Sequence, residues 1–221
     1  MRKDRKLRES VNGCDIINID GMGVAWGARL CGIDVPERVS GIDLFFNLLE
    51  MAAREGHPVF FLGARPEIVE KAVSTVREKF PRLQIAGWHH GYFWNDESAV
   101  VEKIRQSGAK LLFVAITSPK KENFIDKWKD RLGVYFVMGV GGTFDVVAGK
   151  TKRAPKLMQD AGLEWFYRLC QEPRRMWRRY LLTNAVYSGI LLKEYYNSHH
   201  CATSYPEPCI LLWCKRENSW C

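Results

Sequence analysis

Hydrophobic positions along the chain follow two alternating patterns. Short apolar runs rich in Val, Ile and Phe predict five buried parallel strands, at residues 14–19, 58–62, 83–86, 111–116 and 134–140. Apolar residues at three- and four-residue spacing predict helices between them, at residues 41–55, 66–80, 96–106 and 121–132. This alternation predicts an α/β fold with a Rossmann-like open, mostly parallel sheet, helices on both faces, and ligands beyond the carboxyl ends of the strands.

The pattern changes to helix alone after Pro155. Helices are predicted at 156–171 and, after a break at Pro173, from 174 to about 196. We therefore expect three parts: an α/β domain at residues 1–155, a basic helical appendage at 156–198, and a Cys-rich, poorly ordered tail at 199–221.

Hydrophobic content and net charge limit the kinds of molecule that the protein is expected to bind. A content of 47% hydrophobic residues indicates a globular protein, and the net charge of +8 favours anionic partners such as nucleotide diphosphates, lipid headgroups or nucleic acid. No RNA- or DNA-binding motif occurs, which disfavours nucleic acid. Charged residues directly after Met1 exclude a signal peptide or an anchor at that position, so we expect a cytoplasmic location.

Asp20 and Gly21 follow the first predicted strand. A carboxylate at a strand end can act as a general base towards an attacking hydroxyl, and glycine lets the backbone approach a ligand closely. The structural alternative is that Asp20 caps the helix that follows, and the spacing alone does not decide between them.

A second glycine-rich turn, residues 139–145, follows the fifth predicted strand. Its amides at Gly141 and Gly142 could hold an anion, and Asp145 could accept hydrogen bonds from a sugar hydroxyl or a uracil imide. The alternative is a tight turn with a helix cap. The turn lacks the G-x-G-x-x-G spacing, and no P-loop occurs, which disfavours nicotinamide and P-loop sites. The adjacent His89 and His90 are expected to point to opposite faces and so not to share a metal.

The appendage combines positive charge with an apolar stretch. Seven basic and three acidic residues lie between 153 and 179, and four of the arginines open a helix, where the macrodipole disfavours cations. This placement favours an anionic partner. Residues 180–192 are apolar but too short to span a bilayer, which indicates an interfacial helix; the alternative is a helix packed on the core.

At these motifs the chain resembles the bacterial WecG/TagA/CpsF glycosyltransferase family, which includes the teichoic-acid N-acetylmannosaminyltransferase. The likeness runs from about Arg5 to Leu192. It is carried by residues 20–24, 36–44, 60–63, 89–93, 139–149, 153–155 and 163–168.

The resemblance implies transfer of a hexosamine-type sugar, N-acetylmannosamine or a related one, from UDP to a polyprenyl-diphosphate-linked saccharide. It implies inversion, no metal or other cofactor, and a peripheral location at the inner face of the cell membrane. The oligomeric state stays open, because the apolar helix could meet either the membrane or another subunit in a homo-oligomer. Asp20 would be the base, with Arg168, Arg175 and Arg178 steadying the diphosphate. The donor site would include Gly21, Arg38, Asp43, Gly63, Lys121, Gly141, Gly142 and Asp145.

Two departures from the family pattern qualify this implication. Lys121 stands where the family often has Gln, which changes the expected donor contacts. The family's N-terminal strand-helix-strand segment, with its Thr-Pro-Asn donor loop, is not matched. The alternative function is therefore a truncated, weakly active protein that binds nucleotide or anionic lipid.

Overall fold

The computed structural model describes residues 4–35 and 39–200. The chain divides into two compact units. The first takes the chain up to Asp15 and Ser40–Lys152; the second takes the described part of Ile16–Val39 and the chain from Arg153 onward. The domain limits proposed from the sequence stay a prediction.

A sheet of four parallel strands, in the order β2-β1-β3-β4, forms the centre of the first unit. The strands are β1 Val59–Gly63, β2 Ile85–His89, β3 Leu111–Ala115 and β4 Phe136–Gly139. β1 and β3 are buried along their whole length, as continuous apolar runs predict for strands covered on both faces. Their register runs from Val59 opposite Leu111 to Gly63 opposite Ala115, so the two strands end together.

Helices cover both faces of this sheet. In the described residues they are α1 Arg5–Asn12, α3 Gly41–Glu55, α4 Pro66–Lys79, α5 Glu97–Gln106, α6 Lys120–Trp128 and α7 Thr143–Val147. Phe61 of β1 lies in a core with α3, α4 and α7, whereas the neighbouring Phe60 lies in a core with α5 and α6. The fully buried Phe45 of α3 packs edge-on against Phe113, with ring centroids 4.9 Å apart. The predicted α/β fold is confirmed.

Local sequence signals set several helix ends in this unit. α3 ends at Gly56, whose φ of 70° is a left-handed conformation that glycine adopts without steric cost. Pro66 occupies the first turn of α4, where its missing N–H is not needed. Asp96 caps α5, because its Oδ1 accepts a hydrogen bond of 3.1 Å from the Ala99 N–H.

The prediction of a strand at residues 14–19 is wrong. The segment pairs with no strand among the described residues, and Ile16 is 75% exposed. Its hydrogen bonds run to a loop residue instead: the Asn18 side chain donates to the Val39 carbonyl, and the Val39 N–H donates to the Ile19 carbonyl. An apolar run becomes a strand only where a neighbouring strand satisfies its backbone groups.

The second unit is helical in its described part. Its helices are α2 Met22–Leu30, α8 Lys156–Asp160, α9 Glu164–Gln171 and α10 Pro173–His200. The helix predicted at 156–171 is interrupted at Gly162, which has a φ of 72°. The predicted break at Pro173 is confirmed, since α10 begins there. The predicted tail from residue 201 lies outside the described residues.

α2 packs closely against α10. The Tyr187 hydroxyl donates a hydrogen bond of 3.0 Å to the Gly23 carbonyl. A Cβ on Gly27 would meet the Tyr187 hydroxyl and would lie 3.1 Å from Leu191 Cδ1. Glycine therefore allows this approach of the two helices. No helix among the described residues is both long enough and apolar enough to cross a bilayer.

Candidate functional site

The carboxyl ends of β1 and β3 form the point where the connections of the sheet diverge. After β1 the chain continues into α4 on one face, and after β3 it continues into α6 on the other. In open α/β sheets such a switch point leaves a crevice in which ligands bind. The sequence-predicted Gly63 lies at this point, as the last residue of β1.

Gly63 allows the backbones of β1 and β3 to meet here. Its φ is 122°, and a Cβ would lie 2.9 Å from Ala115 Cα and would also meet the Ala115 carbonyl. The next residue, Ala64, donates its N–H to the Ala115 carbonyl at 2.9 Å. The crevice therefore has a floor of closely packed backbone, which leaves no room for a side chain at residue 63.

The loop after β2 lies against the end of β1. The Gly91 N–H donates a hydrogen bond of 2.8 Å to the Ala64 carbonyl. The rings of His89 and His90 lie 4.4 Å apart between centroids, so the expectation of opposite faces is wrong. β2 ends at His89, and the alternation of a strand does not extend to His90. Burial lowers the pKa of His89 below its ordinary value.

The glycine-rich turn after β4 is held by two hydrogen bonds to one carbonyl. The Thr143 N–H and the Thr143 hydroxyl both donate to the Val140 carbonyl, at 3.0 and 2.7 Å. Gly141 has a φ of 52°, and Gly142 caps α7 without a side-chain hydrogen bond. The tight turn weighed as the alternative is therefore formed, and it leaves the backbone at Gly141 and Gly142 exposed.

Asp145, in the first turn of α7, is half-buried and ion-paired. Its Oδ1 lies 2.9 Å from the Lys150 Nζ, and its carbonyl accepts hydrogen bonds from the N–H groups of Lys150 and Thr151. This pair holds the carboxylate in one position while part of it stays accessible. Asp145 keeps the capacity to accept further hydrogen bonds, because a carboxylate has several acceptor positions.

Lys121 lies at the start of α6, beside the end of β4. Its side chain runs over Gly139, where a Cβ would lie 2.7 Å from Lys121 Cδ and 2.9 Å from Nζ. Its ammonium is 3.2 Å from Oε1 of Glu122, and both side chains are mostly buried, at 20% and 17% exposure. Sequence reasoning identified Lys121 but missed Gly139 and Glu122 as its neighbours, because the path of a side chain cannot be read from spacing.

Two further predicted donor residues are Asp43 of the first unit and Arg38. Asp43 is exposed in the first turn of α3, where an acidic side chain interacts favourably with the helix dipole. Arg38 lies outside the described residues. The edge of the sheet thus brings together Gly63, Lys121, Gly141, Gly142 and Asp145.

The second unit holds the other predicted residues. Asp20 and Gly21 are exposed directly before α2, and the N-cap of α2 is Gly21 rather than Asp20. Arg168 is exposed in the last turn of α9, and Arg178 is exposed on α10 with its guanidinium 5.3 Å from the Trp177 ring centroid. Arg175 lies on α10, but its side chain lies outside the described part.

A surface recess of about 350 Å³ in the first unit was not expected from the sequence. Glu97 in its wall accepts hydrogen bonds of 2.7 Å from Lys127 Nζ and from Trp128 Nε1. The Lys120 ammonium lies 4.8 Å from the Trp94 ring centroid. The lining residues are Lys6, Trp94, Glu97, Lys120, Asn123, Phe124 and Lys127.

Comparison with known proteins identifies the family of this chain. The model of the Glycosyl transferase WecG/TagA/CpsF family matches residues 1–200. An N-acetylglucosaminyldiphosphoundecaprenol N-acetyl-beta-D-mannosaminyltransferase of Bacillus subtilis (strain 168) is 34% identical over 206 residues, covering 93% of this chain and 78% of that protein. The enzyme of the same name from Bacillus spizizenii is 36% identical over 184 residues, covering 83% of this chain and 71% of that protein. The chain therefore belongs to the WecG/TagA/CpsF family and is a hexosyltransferase.

Proposed function

We propose that this chain transfers N-acetylmannosamine from a UDP donor to a polyprenyl-diphosphate-linked saccharide, with inversion and without a metal ion. The observation that carries the proposal is the identity of 34% over 93% of the chain to an enzyme named for this acceptor and this sugar. The exposed glycine backbone at Gly141 and Gly142 and the Lys121 ammonium at the carboxyl edge of the sheet support a nucleotide diphosphate as the donor.

In the proposed reaction the acceptor hydroxyl oxygen bonds to the anomeric carbon while the bond from that carbon to the UDP oxygen breaks. Asp20 accepts the hydroxyl proton, and the electron pair leaves with the β-phosphate of UDP. Attack from the face opposite UDP inverts the anomeric configuration. Asp20 is exposed, so an acceptor hydroxyl can reach its carboxylate.

In this proposal cationic side chains take the part that a divalent ion plays in other transferases. Guanidinium groups can pair with two phosphate oxygens at once, and Arg168, Arg175 and Arg178 supply them. Negative charge grows on UDP as the bond breaks, so these cations would stabilise the transition state more than the ground state. Activity is therefore expected to persist when divalent ions are removed with EDTA.

Asp20→Asn tests the role of the base. We expect the turnover number for transfer to a lipid-diphosphate acceptor to fall by roughly 10²- to 10⁴-fold, the usual contribution of a general base. UDP affinity, measured by calorimetry, should stay within about twofold of the unsubstituted chain, because the amide preserves size and polarity.

Asp34→Asn is the matched control for this experiment. Asp34 is also an exposed aspartate of the second unit, and the change removes the same charge. It should leave transfer unchanged. Undiminished transfer by Asp20→Asn would refute the assignment of the base, and failure of the chain to use any UDP-sugar would refute the donor.

Attachment to the inner face of the membrane is part of the proposal, since the acceptor is lipid-linked. α10 exposes apolar side chains, with Leu181, Leu182 and Val186 each more than 60% accessible. The exposed Arg174 and Arg178 lie on the same helix. An apolar surface beside basic residues suits an anionic lipid interface; a second copy of the chain is the alternative that would cover it.

A further inference from the structure

In the Lys121–Glu122 pair, one oxygen of the carboxylate contacts the cation and the other does not. Glu122 Oε1 lies 3.2 Å from the Lys121 ammonium. Glu122 Oε2 is buried and has no hydrogen-bond partner in the part of the chain that the structure describes. A carboxylate in this position is costly unless a positive charge stays beside it, so Glu122 holds the Lys121 ammonium in place.

Gly139 supplies the space through which the Lys121 side chain passes. A Cβ at residue 139 would lie 2.7 Å from both Cδ and Cε of Lys121 and 2.9 Å from its Nζ. A Cβ cannot approach other atoms this closely, so a side chain at residue 139 would force the flexible end of Lys121 to move. Glu122 thus pairs with the ammonium, and Gly139, the last residue of β4, leaves room for it.

The Lys121 ammonium lies at the carboxyl edge of the sheet, where ligands bind in open α/β folds. Gly139 lies opposite Val114 in the β3–β4 register, so the cation is at the carboxyl edge. Gly141 and Gly142, with their exposed backbone, follow two and three residues later. A cation beside exposed glycine backbone at such an edge is suited to phosphate oxygens. Interior burial alone would favour an apolar residue over lysine here.

We propose that Lys121 binds the diphosphate of the sugar-nucleotide donor, and that Glu122 and Gly139 are positioning residues that act through it. This inference rests on the proposed UDP donor. It assigns part of the donor affinity to an ion pair and a glycine on the β3–β4 side of the edge. In this proposal Lys121 binds phosphate as well as neutralising the Glu122 carboxylate.

The test compares binding of UDP and of uridine to the full chain by calorimetry. Lys121→Met should weaken UDP binding about tenfold or more, the usual effect of losing a charge-assisted hydrogen bond to phosphate. Uridine affinity should not change, because uridine carries no phosphate. The loss for UDP should shrink in high salt, where charges are screened. Lys71→Met, an exposed lysine of α4, is the matched control and should bind UDP normally.

Two further variants separate a binding role from a structural one. Lys121→Met leaves the Glu122 carboxylate half-buried without its cation and lowers stability; adding Glu122→Gln relieves that charge but should not restore UDP affinity. Gly139→Ala should weaken UDP binding in the native background, because the methyl group displaces the lysine. The same change should have no effect in the Lys121→Met background.

The outcomes are distinct. Recovery of UDP affinity in the Lys121→Met, Glu122→Gln double variant would overturn the proposal, because lysine would then serve only to neutralise the carboxylate. Equal losses for UDP and uridine would overturn it as well. If Lys121→Met bound UDP normally while the unsubstituted chain still transferred sugar from UDP, the proposed function would stand without this inference. If the unsubstituted chain bound no UDP, both would fail.

Discussion

Gly63→Ala is the substitution that most directly tests how the carboxyl edge is built. Residue 63 closes β1 with a φ of 122°, a region in which side-chain-bearing residues are strongly disfavoured. The added methyl group would lie 2.9 Å from Ala115 Cα. Neither the methyl group nor the facing backbone can rotate away, so the ends of β1 and β3 must separate.

The expected loss can be worked from these two effects. A disfavoured backbone conformation costs about 1 to 3 kcal/mol. Separation of the strand ends breaks the hydrogen bond of 2.9 Å from the Ala64 N–H to the Ala115 carbonyl, which contributes about 1 kcal/mol. With the accompanying loss of packing, the free energy of unfolding should fall by roughly 3 to 5 kcal/mol. In a chain of this size, that corresponds to a melting temperature lower by roughly 6 to 20 °C.

Urea unfolding followed by circular dichroism measures the change, with Gly142→Ala as the control in the same unit. A methyl group at residue 142 would meet nothing within 4 Å, and its φ of −84° suits alanine. The control should therefore change stability by less than about 0.5 kcal/mol. If Gly63→Ala lost no more than Gly142→Ala, the close approach of β1 and β3 at Ala115 would be refuted.

Two further predictions concern charge. Glu97→Gln should destabilise the chain at neutral pH and match it in acid: although burial raises the pKa of Glu97, hydrogen bonds from Lys127 and Trp128 hold it below its ordinary value. Their contribution is complete above the unfolded-state pKa of about 4.3 and disappears as pH falls through the lower folded-state value. Urea unfolding between pH 7 and pH 3 measures this, and a difference independent of pH would contradict it. Arg178→Gln should reduce sedimentation with anionic vesicles, more at low than at high salt, because an exposed guanidinium of α10 is removed. Arg82→Gln, an exposed arginine of the first unit, should sediment normally, and equal losses in both variants would contradict an interfacial α10.

Much of the first unit could be predicted because its signals are local. The continuous apolar runs of β1 and β3 need burial on both faces, and the observed strands match the predicted ranges to within one residue. The amphipathic pattern of α3, closed by Gly56, gave both of its ends. Such elements depend on residues close in sequence, so spacing is enough to find them.

The sequence anticipated α2 only as the helix that Asp20 would cap, and it gave no bounds for that helix. Residues 22–30 contain two glycines and no cap, so local propensity argues against a helix. In the structure Gly27 instead allows the approach of Tyr187, whose hydroxyl bonds to Gly23, 164 residues away in sequence. A contact between such distant residues overrides local preference, and no periodicity reports it.

The candidate site likewise contains some residues that the sequence identifies and others that it does not. Gly63, Gly141 and Asp145 could be found from the sequence because they follow predicted strands, and an open parallel sheet places the ends of its strands at one edge. Glu122 and Gly139 could not be found in this way. Their importance lies in the path of the Lys121 side chain, which depends on two segments that spacing does not connect.

Three of the four strand ends share one structural property that bears on specificity. Gly63 packs on Ala115, Gly91, just after β2, donates to Ala64, and Gly139 lies under Lys121, so in each case a Cβ would come closer than ordinary contact to neighbouring atoms. These contacts give the edge a fixed shape before any ligand binds, which reduces the entropy lost on binding. The same rigidity suits a diphosphate, which every UDP-sugar carries. We therefore expect that the choice between related sugars depends on side chains that project from this edge rather than on its backbone.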